Sequence, residues 1–383
     1  MNHFKKQQIQ NIADFNPREQ LAKGALAKSV PMAMLKEFQR QITGYEIKVF
    51  NGGAKFRNGD TLLAKITPCL ENGKTAFVDI LDDGEVAFGS TEFIVLRAKN
   101  ETNPEFLYYF AISPDFRKRA IECMEGTSGR QRVNENTLKI LELPIPEPQT
   151  QQSIAAILSA LDKKIALNKQ INARLDEMAK TLYDYWFVQF DFPDVNGKPY
   201  KSSGGDMAFD ETLKREIPKG WKPFKLSELV NLSTGKEDAN FATEQGIYPF
   251  FTCSEKILKC DVYSFDTQAI LLAGNGTFSV KRFTGRFNAY QRTYVLEPKS
   301  KNLYPIVYFV IIDNVIKFTS GSRGSIIKFI TRGDIENIDV VLPNDIENMR
   351  FSEILYTFLL QAELLEKQNH QLTQLRDFLL PML

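Results

Sequence analysis

The sequence predicts an α+β fold of two similar mixed α/β domains, separated by two long helices that pair as an antiparallel coiled coil, with a pseudo-two-fold internal repeat. Three observations predict it. The chain repeats itself once, at a spacing of roughly 200 residues. Each copy closes with a long stretch in which apolar residues recur every three or four positions, as in an amphipathic helix. The regions before these stretches contain short β-branched or aromatic runs bounded by Gly, Pro and Asn, which are typical of strands.

The composition is that of an ordinary globular protein. Hydrophobic residues make up 43% and charged residues 25% of the 383 residues, enough for two or three domains with their own cores. The N-terminal segment MNHFKKQQIQ is too polar for a signal peptide, and the longest apolar run is much shorter than a membrane span. The four cysteines form no CxxC pair, which favours buried or free thiols in a reducing cytoplasm.

The first domain is predicted to cover residues 1–146 and the second residues 216–343. In them the segment GDTLLAKITP resembles TQAILLAGNG, and TEFIVL lines up with QRTYVL as a strand. A short helix is expected next in each copy, from Pro104 to Ile112 and from Tyr304 to Phe318. A polar loop and a strand that ends in proline complete each domain.

The long helices are predicted within residues 147–190 and 344–383, with a turn-rich linker at 191–215. The first begins after Pro146, because proline cannot lie inside a helix, and is expected to be about 57 Å long. Pro146 and Pro343 start two stretches that match without gaps at an offset of 197 residues.

The predicted seam of the antiparallel pair follows the apolar stripe of both helices. One polar member, Asn172, would fix the register as a buried amide. Ordinary core packing of each helix is the alternative interpretation. The seam residues are Ile154, Leu158, Leu161, Ile165, Asn172, Leu175, Met178, Leu182, Phe351, Leu355, Phe358, Leu372, Leu375 and Leu379.

Catalytic constellations are missing from the sequence. Only two histidines occur, His3 and His370, which excludes His-centred triads and most zinc hydrolases. There is no glycine-rich dinucleotide or triphosphate loop and no motif of the kind found in adenine methyltransferases. Glu71 and Lys74 do not have nuclease spacing. The sequence therefore predicts a binding module with no catalytic residue, no metal site and no cofactor of its own.

Positive charge is concentrated locally, although the net charge is only +1. No acidic residue occurs between Asp266 and Glu297 or between Asp313 and Asp334, while basic residues occur in both intervals. Arginine can bridge guanine O6 and N7, and Asn or Gln can bridge adenine N6 and N7, so such segments are typical of a DNA-binding face. An ordinary solvated surface group remains the alternative for any single residue.

The candidate DNA contacts are basic, amide or hydroxyl side chains in corresponding loops of the two copies. Those of the second domain are Asn275, Lys281, Arg282, Arg286, Asn288, Gln291, Arg292, Lys317, Ser322, Arg323 and Lys328. Those of the first domain are Lys65, Asn72, Lys74, Ser128, Arg130, Gln131, Arg132 and Asn134.

Four segments resemble the specificity subunits of type I restriction-modification enzymes. They are GDTLLAKITPCLENGKTAFV, LPIPEPQTQQSIAAILSALDKKIALNKQINARL, YDYWFVQFDFP and LRDFLLPML. The chain departs from the family pattern at Thr150, Gln151 and Gln152, where relatives often have Glu-Gln.

The resemblance implies a non-catalytic, cytoplasmic DNA-recognition subunit of a bacterial or archaeal cell. Its two target-recognition domains would each read half of a bipartite double-stranded DNA site, and the helices would set the gap between the halves. Two methyltransferase subunits would bind it, joined by motor-nuclease subunits in the full complex. S-adenosylmethionine, ATP and Mg²⁺ would then be bound by the partner subunits alone.

Other functions stay open from the residues themselves. A coiled-coil scaffold with protein-binding heads would have the same architecture, but the acid-free basic segments weigh against it. A recognition subunit of a related system without the motor is a close variant. A nuclease or methyltransferase would need a catalytic constellation that the sequence lacks.

Overall fold

The computed structural model describes residues 4–99, 101–127, 129–320, 329–346 and 349–383. The chain forms two compact units: unit 1 comprises Met1–Leu167 and Gln368–Leu383, and unit 2 comprises Asn168–Lys367. Each unit contains one of the two domains predicted from the sequence. The boundary between the units falls inside both long helices.

Unit 1 is a mixed domain of short strands and helices. Its helices are α1 (Ile9–Ile12), α2 (Pro104–Ile112), α3 (Pro114–Glu122), α4 (Glu135–Ile140) and the beginning of α5 (Pro148–Tyr183). Its strands, within the described residues, are β1 (Phe4–Gln8), β2 (Ala13–Phe15), β3 (Leu26–Val30), β4 (Glu46–Val49), β5 (Ala54–Phe56), β6 (Thr61–Ala64), β7 (Thr75–Phe77), β8 (Ala87–Gly89), β9 (Phe93–Ala98), β10 (Met124–Glu125), β11 (Arg132–Val133) and β12 (Glu142–Pro146).

Two four-stranded sheets form the body of unit 1. One has the order β2-β9-β6-β7, and the other has the order β4-β3-β8-β5 with β3 parallel to β8. Helix α2 starts where the sequence predicts, because Pro104 fits the first helical turn and the Asn103 side chain accepts from Phe106 N. Gln151 joins α5 to this region, since its amide donates to Pro146 O (2.9 Å) and accepts from Asn103 N (3.1 Å).

Unit 2 repeats this arrangement with a larger sheet. Its helices are α6 (Leu226–Leu229), α7 (Leu303–Ser320), α8 (Arg332–Glu336) and α9 (Arg350–Leu379), whose last turns belong to unit 1. The strands in the part of unit 2 that the structure describes are β13 (Met207–Asp210), β14 (Arg215–Pro218), β15 (Trp221–Lys225), β16 (Val230–Thr234), β17 (Tyr248–Phe251), β18 (Leu258–Cys260), β19 (Phe265–Ala273), β20 (Val280–Ala289), β21 (Thr293–Pro298) and β22 (Asp339–Pro343).

The six-stranded sheet of unit 2 has the order β16-β21-β19-β20-β17-β18. It corresponds to the β2-β9-β6-β7 sheet of unit 1. The long strand β20 extends it, because its far end also pairs in parallel with β17. In unit 1 two separate strands correspond to the two ends of β20: β7 pairs antiparallel with β6, and β8 pairs in parallel with β3.

The structure confirms the internal repeat and the two-domain α+β fold. Strand β1 pairs with β12 so that Phe4 faces Pro146, and β15 pairs with β22 so that Trp221 faces Pro343. Pro146 and Pro343, which the sequence comparison matched, thus occupy equivalent positions in the two copies. Within the segment predicted as a linker at 191–215, strand β13 and the first residue of β14 belong to an antiparallel hairpin.

The long helices contact each other antiparallel within each unit. In unit 1, Asn369 Nδ2 donates to Ile165 O (3.4 Å) and Arg376 Nη1 donates to Asp162 Oδ1 (3.0 Å). In unit 2, the π-helical turn Asp184–Val188 continues α5, and its Phe187 ring packs 5.5 Å from that of Phe351.

The buried stripe of the helices differs in part from the predicted seam. Leu158, Ile165 and Leu355 are buried as predicted, while Met178 and Leu375 are 50% and 47% exposed, so the prediction was wrong for these two. The remaining predicted seam residues are half-buried: Ile154, Leu161, Asn172, Leu175, Leu182, Phe351, Phe358, Leu372 and Leu379.

The positions beside the two exposed residues, Ala179 and Arg376, are buried instead. Arg376 can be buried because Asp162 supplies a carboxylate, and Asp162 also accepts from Tyr109 Oη at 2.8 Å. A pattern based on apolar residues cannot detect such a paired charge inside a core.

Candidate nucleic-acid interface

Three segments of unit 1 meet at the end of strand β6, and we call this meeting point junction 1. Lys65 N donates to Glu92 O, and Lys65 O accepts from Val133 N, both at 2.9 Å. The next residue, Ile66, forms a bridge with Arg132. These backbone bonds bring together the two loops of the first domain in which DNA contacts were predicted.

Junction 2 has the same hydrogen-bond pattern in unit 2, at the end of strand β19. Gly274 N donates to Arg292 O (2.8 Å), and Gly274 O accepts from Ile330 N (2.9 Å). Asn275 forms a bridge with Phe329. Each residue of junction 2 therefore has a counterpart in junction 1, so the repeat extends to the loops.

Most predicted contacts of the first domain lie in or next to junction 1. Arg130, Gln131 and Asn134 are neighbours of Arg132, whereas Asn72 and Lys74 lie on the loop that follows Lys65. Gln131 N donates to Thr67 Oγ1 (3.1 Å) and thereby ties the two loops together. The loop of Asn72 is held by Arg117, whose guanidinium donates to Glu71 O (2.8 Å). Ser128 lies outside the described residues.

Carboxylates neutralise most of the positive charge in junction 1. Arg132 forms a bidentate pair with Glu92, with Nη2–Oε1 at 2.7 Å and Nε–Oε2 at 3.0 Å. This hydrogen bonding holds the pKa of the Glu92 carboxyl below its usual value. Lys65 lies 3.6 Å from Glu135. In contrast, the exposed Arg130 side chain has no ion-pair or hydrogen-bond partner among the described residues.

Asn134 has a structural role in the fold. Its side chain accepts from the backbone N of Asn136 (3.0 Å) and Thr137 (3.2 Å), which caps helix α4. It also donates to Glu125 Oε1 (2.8 Å). Thr331 caps α8 at the equivalent place in unit 2. Both caps set where the helix after each junction begins.

Junction 2 has a more basic and more apolar surface. Gln291 and Arg292 are exposed, Asn275 is half-buried, and Lys281 Nζ donates to Ser254 O at 2.7 Å. Phe329 is 65% exposed beside them. Ser322, Arg323 and Lys328 precede Phe329 in the chain and lie outside the described residues.

Other predicted contacts of the second domain lie away from junction 2. Arg282 is enclosed, with a side chain 7% exposed that donates to Asp176 (3.2 Å) and stacks on Tyr308 (4.5 Å). Asn288 is fully buried and donates to Val262 O at 3.2 Å. We therefore remove these two side chains from the candidate surface.

Two further predicted contacts stay exposed but lie on other segments. Arg286 pairs with Asp266 (3.0 Å) towards the opposite end of β20 from junction 2. Lys317 lies on α7, where Nζ donates to Asn314 Oδ1 at 3.3 Å.

A polar cleft adjoins junction 1. The cleft has a volume of about 730 Å³, and its lining includes the basic residues Arg18, Lys55 and Lys65 and the acidic residue Glu19. Cationic side chains at the edge of a reading surface are suited to DNA phosphates, which position a protein without carrying sequence information.

Sequence analysis overlooked Glu92 and Phe329, two residues at the centre of the junctions. Acidic and aromatic side chains did not fit a search for basic and amide groups. A position-by-position comparison of the two copies would have found them, since Glu92 is equivalent to Arg292 and Phe329 to Arg132.

No group of three or more His, Cys, Asp or Glu side chains in the described parts of the chain could hold a metal ion. No described helix is both long and apolar enough to cross a membrane.

Comparison with known proteins gives a consistent family assignment. The model of the type I restriction modification DNA specificity domain matches residues 8–177 and 218–374. The EcoDI specificity subunit of Escherichia coli is 47% identical over 163 residues, which are 42% of this chain and 36% of that protein. The MjaIX specificity subunit of Methanocaldococcus jannaschii is 24% identical over 310 residues, 73% of this chain and 68% of that protein.

A solved structure shows the same fold. The S subunit of a type I restriction-modification system from M. genitalium superposes with a TM-score of 0.63 at 16% identity, covering 99% of this chain and 95% of that chain. The match to the E. coli relative spans little more than a third of that protein's length.

Proposed function

Because the chain belongs to the type I restriction modification DNA specificity domain family, with one matched segment for each copy of its repeat, we propose that it is the DNA-recognition subunit of a type I restriction-modification enzyme. Each junction reads one half of a bipartite double-stranded DNA site, and helices α5 and α9 set the unread gap. The observation that carries this proposal is the duplicated junction, which presents exposed polar and charged side chains on the same backbone framework in both units.

The side chains around the junctions suit both parts of DNA recognition. Arg130, Gln291 and Arg292 are exposed donors of the kind that bind base edges in the major groove. Arg18 and Lys55 lie to the side of junction 1, where phosphate contact would orient the duplex. Reading of two separate half-sites follows from the presence of one such surface in each unit.

The proposed partners are two methyltransferase subunits, which dock on the long helices. Exposed apolar side chains recur on α5 and α9 at a spacing of 197 residues: Ile157 and Ile354, Leu167 and Leu364, Met178 and Leu375. Exposed apolar side chains that recur in this way are suited to protein contacts. Their duplication favours two copies of one partner.

Catalysis belongs to the partner subunits in this proposal. The methyltransferase subunits use S-adenosylmethionine, and motor-nuclease subunits use ATP and Mg²⁺ in the full complex. The chain itself contributes recognition and assembly, and works in the cytoplasm, where its DNA is. A related system without the motor would contain the same chain, and co-purification of its partners separates the two.

Methylation mapping tests the proposal directly. The chain is expressed with its methyltransferase partner in a host that lacks other DNA methylation, and modified bases are mapped across the genome. We expect one bipartite motif with two defined halves and a gap of constant length. Absence of methylation, or a single continuous motif, would contradict the proposal.

DNA binding across salt concentration separates recognition from scaffolding. A specificity subunit should lose affinity steeply as salt rises, because phosphate contacts release counterions. A coiled-coil scaffold with protein-binding heads would bind DNA weakly at all salt concentrations.

A further inference from the structure

The ion pair between Arg132 and Glu92 lies at the centre of junction 1, on the surface proposed to face DNA. The guanidinium presents two donors to the carboxylate, with contacts of 2.7 to 3.1 Å. The Arg132 side chain is 49% exposed and that of Glu92 is 25% exposed. A bidentate pair at a surface restricts the arginine while leaving it accessible to a competing acceptor.

The repeat shows that the fold itself does not need this pair. At the equivalent positions of junction 2, Arg292 replaces Glu92 and Phe329 replaces Arg132, with the same backbone hydrogen bonds. A second acidic residue of junction 1, Glu135, follows the helix cap Asn134, and Arg332 follows the cap Thr331 in unit 2. At these two equivalent positions, therefore, unit 1 has carboxylates and unit 2 has arginines.

From this contrast we propose that Arg132 and Glu92 together read one G·C base pair in the half-site of unit 1, and that Glu92 restrains Arg132 on all other DNA. The inference rests on the proposed function. Guanine offers O6 and N7 to the two donors of Arg132, and cytosine offers its N4 amino group to the carboxylate of Glu92. G·C gives the bidentate guanidinium two acceptors and the carboxylate one donor, whereas T·A offers the guanidinium thymine O4 alone.

A·T and C·G leave an electrostatic mismatch. With A·T in the same orientation, the carboxylate faces thymine O4, which is an acceptor, and Arg132 faces the adenine amino group, which is a donor. On non-specific DNA, Arg132 would have to leave Glu92 in order to contact a phosphate. Glu92 thus lowers binding to wrong sequences, which is how a specific interface rejects competitors.

The Glu92→Gln substitution tests this role with little change of shape. At 0.1 M salt we expect non-specific affinity to rise by up to about tenfold and the salt slope to steepen by about one, since Arg132 becomes free for a phosphate. The mapped motif should accept A·T in place of G·C at one position of the unit 1 half-site, because the amide can donate to thymine O4. The Arg132→Ala variant should lower site affinity by about 5- to 150-fold.

Glu135→Gln is the matched control, because it removes the same charge from the same junction but leaves the Arg132–Glu92 pair intact. We expect its motif to equal that of the unsubstituted chain. A Glu92→Gln motif identical to that of the unsubstituted chain would overturn the inference, as would the same relaxation in Glu135→Gln. If the unsubstituted chain directs no bipartite methylation, the proposed function fails instead. Unchanged thermal unfolding of Glu92→Gln excludes a merely structural role.

Discussion

A buried ion pair joins the segments of α5 and α9 that belong to unit 1. Arg376 and Asp162 are 7% and 8% exposed, and Tyr109 completes the network by donating to the same carboxylate. Burial of such a pair stabilises a fold only while both partners are present, because each charge alone would pay its full desolvation cost. The network therefore specifies one register of α9 against α5 in this unit.

Removing one member of this network should be costly. We expect Arg376→Ala to lower the unfolding free energy of unit 1 by about 3–5 kcal/mol, since Asp162 would be left buried without its cation. Because both tryptophans, Trp186 and Trp221, lie in unit 2, amide hydrogen exchange of unit 1 segments across urea concentration measures the change. The double variant Asp162→Asn with Arg376→Met is the control, and it should recover most of the loss. If both variants are equally destabilised, the pair contributes little beyond packing.

Two arginines of unit 2 should differ sharply, although both were predicted as DNA contacts. Arg282→Ala should lower stability, since it uncovers Asp176 and Tyr308, and should leave the salt slope of DNA binding unchanged. Arg292→Ala should leave stability within about 0.5 kcal/mol. It should also flatten the salt slope by about one if it contacts a phosphate, or relax one position of the unit 2 half-site if it contacts a base. Unchanged DNA binding of Arg292→Ala would remove junction 2 from the proposed interface.

At the scale of the helices, burial separates residues that look alike in sequence. Leu355 and Leu375 were both predicted to lie in the seam, but Leu355 is fully buried and Leu375 is 47% exposed. Leu355→Ala should cost about 2–5 kcal/mol of stability, as expected for a cavity in a core.

Leu375→Ala should change stability by no more than about 0.5 kcal/mol, since its side chain faces solvent. It should instead weaken binding of the proposed methyltransferase partner, measured by titration of the purified subunits. Met178→Ala, at the equivalent exposed position of unit 2, is the matched variant. Full partner affinity in both variants would show that docking uses another face.

At the scale of the whole molecule, the length of the helices should set the gap in the DNA site. One heptad inserted into both α5 and α9 keeps their stripes in phase and lengthens each helix by about 10 Å. One base-pair step is about 3.4 Å, so we expect the unread gap to grow by about three base pairs. Methylation mapping would reveal this change. Altered half-sites with an unchanged gap would show that the helices do not set the spacing.

The sequence alone determined the architecture of this protein, because the internal repeat and the helical periodicity of apolar residues can be recognised directly in the sequence. Helix α2 begins and ends where Pro104 and Ile112 were predicted, and the strands that end at Pro146 and Pro343 pair as the repeat requires. Helix ends and strand ends of this kind depend mainly on neighbouring residues, so they can be predicted without knowledge of distant contacts.

Only the tertiary structure decided which side chains are available for function. Arg282 and Asn288 belong to a basic segment in sequence, but their strand turns them towards protein groups. Glu92 gained significance only when the fold placed it against Arg132, 40 residues away in the chain. Burial and ion pairing depend on contacts between residues far apart in sequence, and the order of residues does not report these contacts. The internal repeat predicted which loops form the candidate surface, whereas only the structure showed which side chains in those loops are exposed.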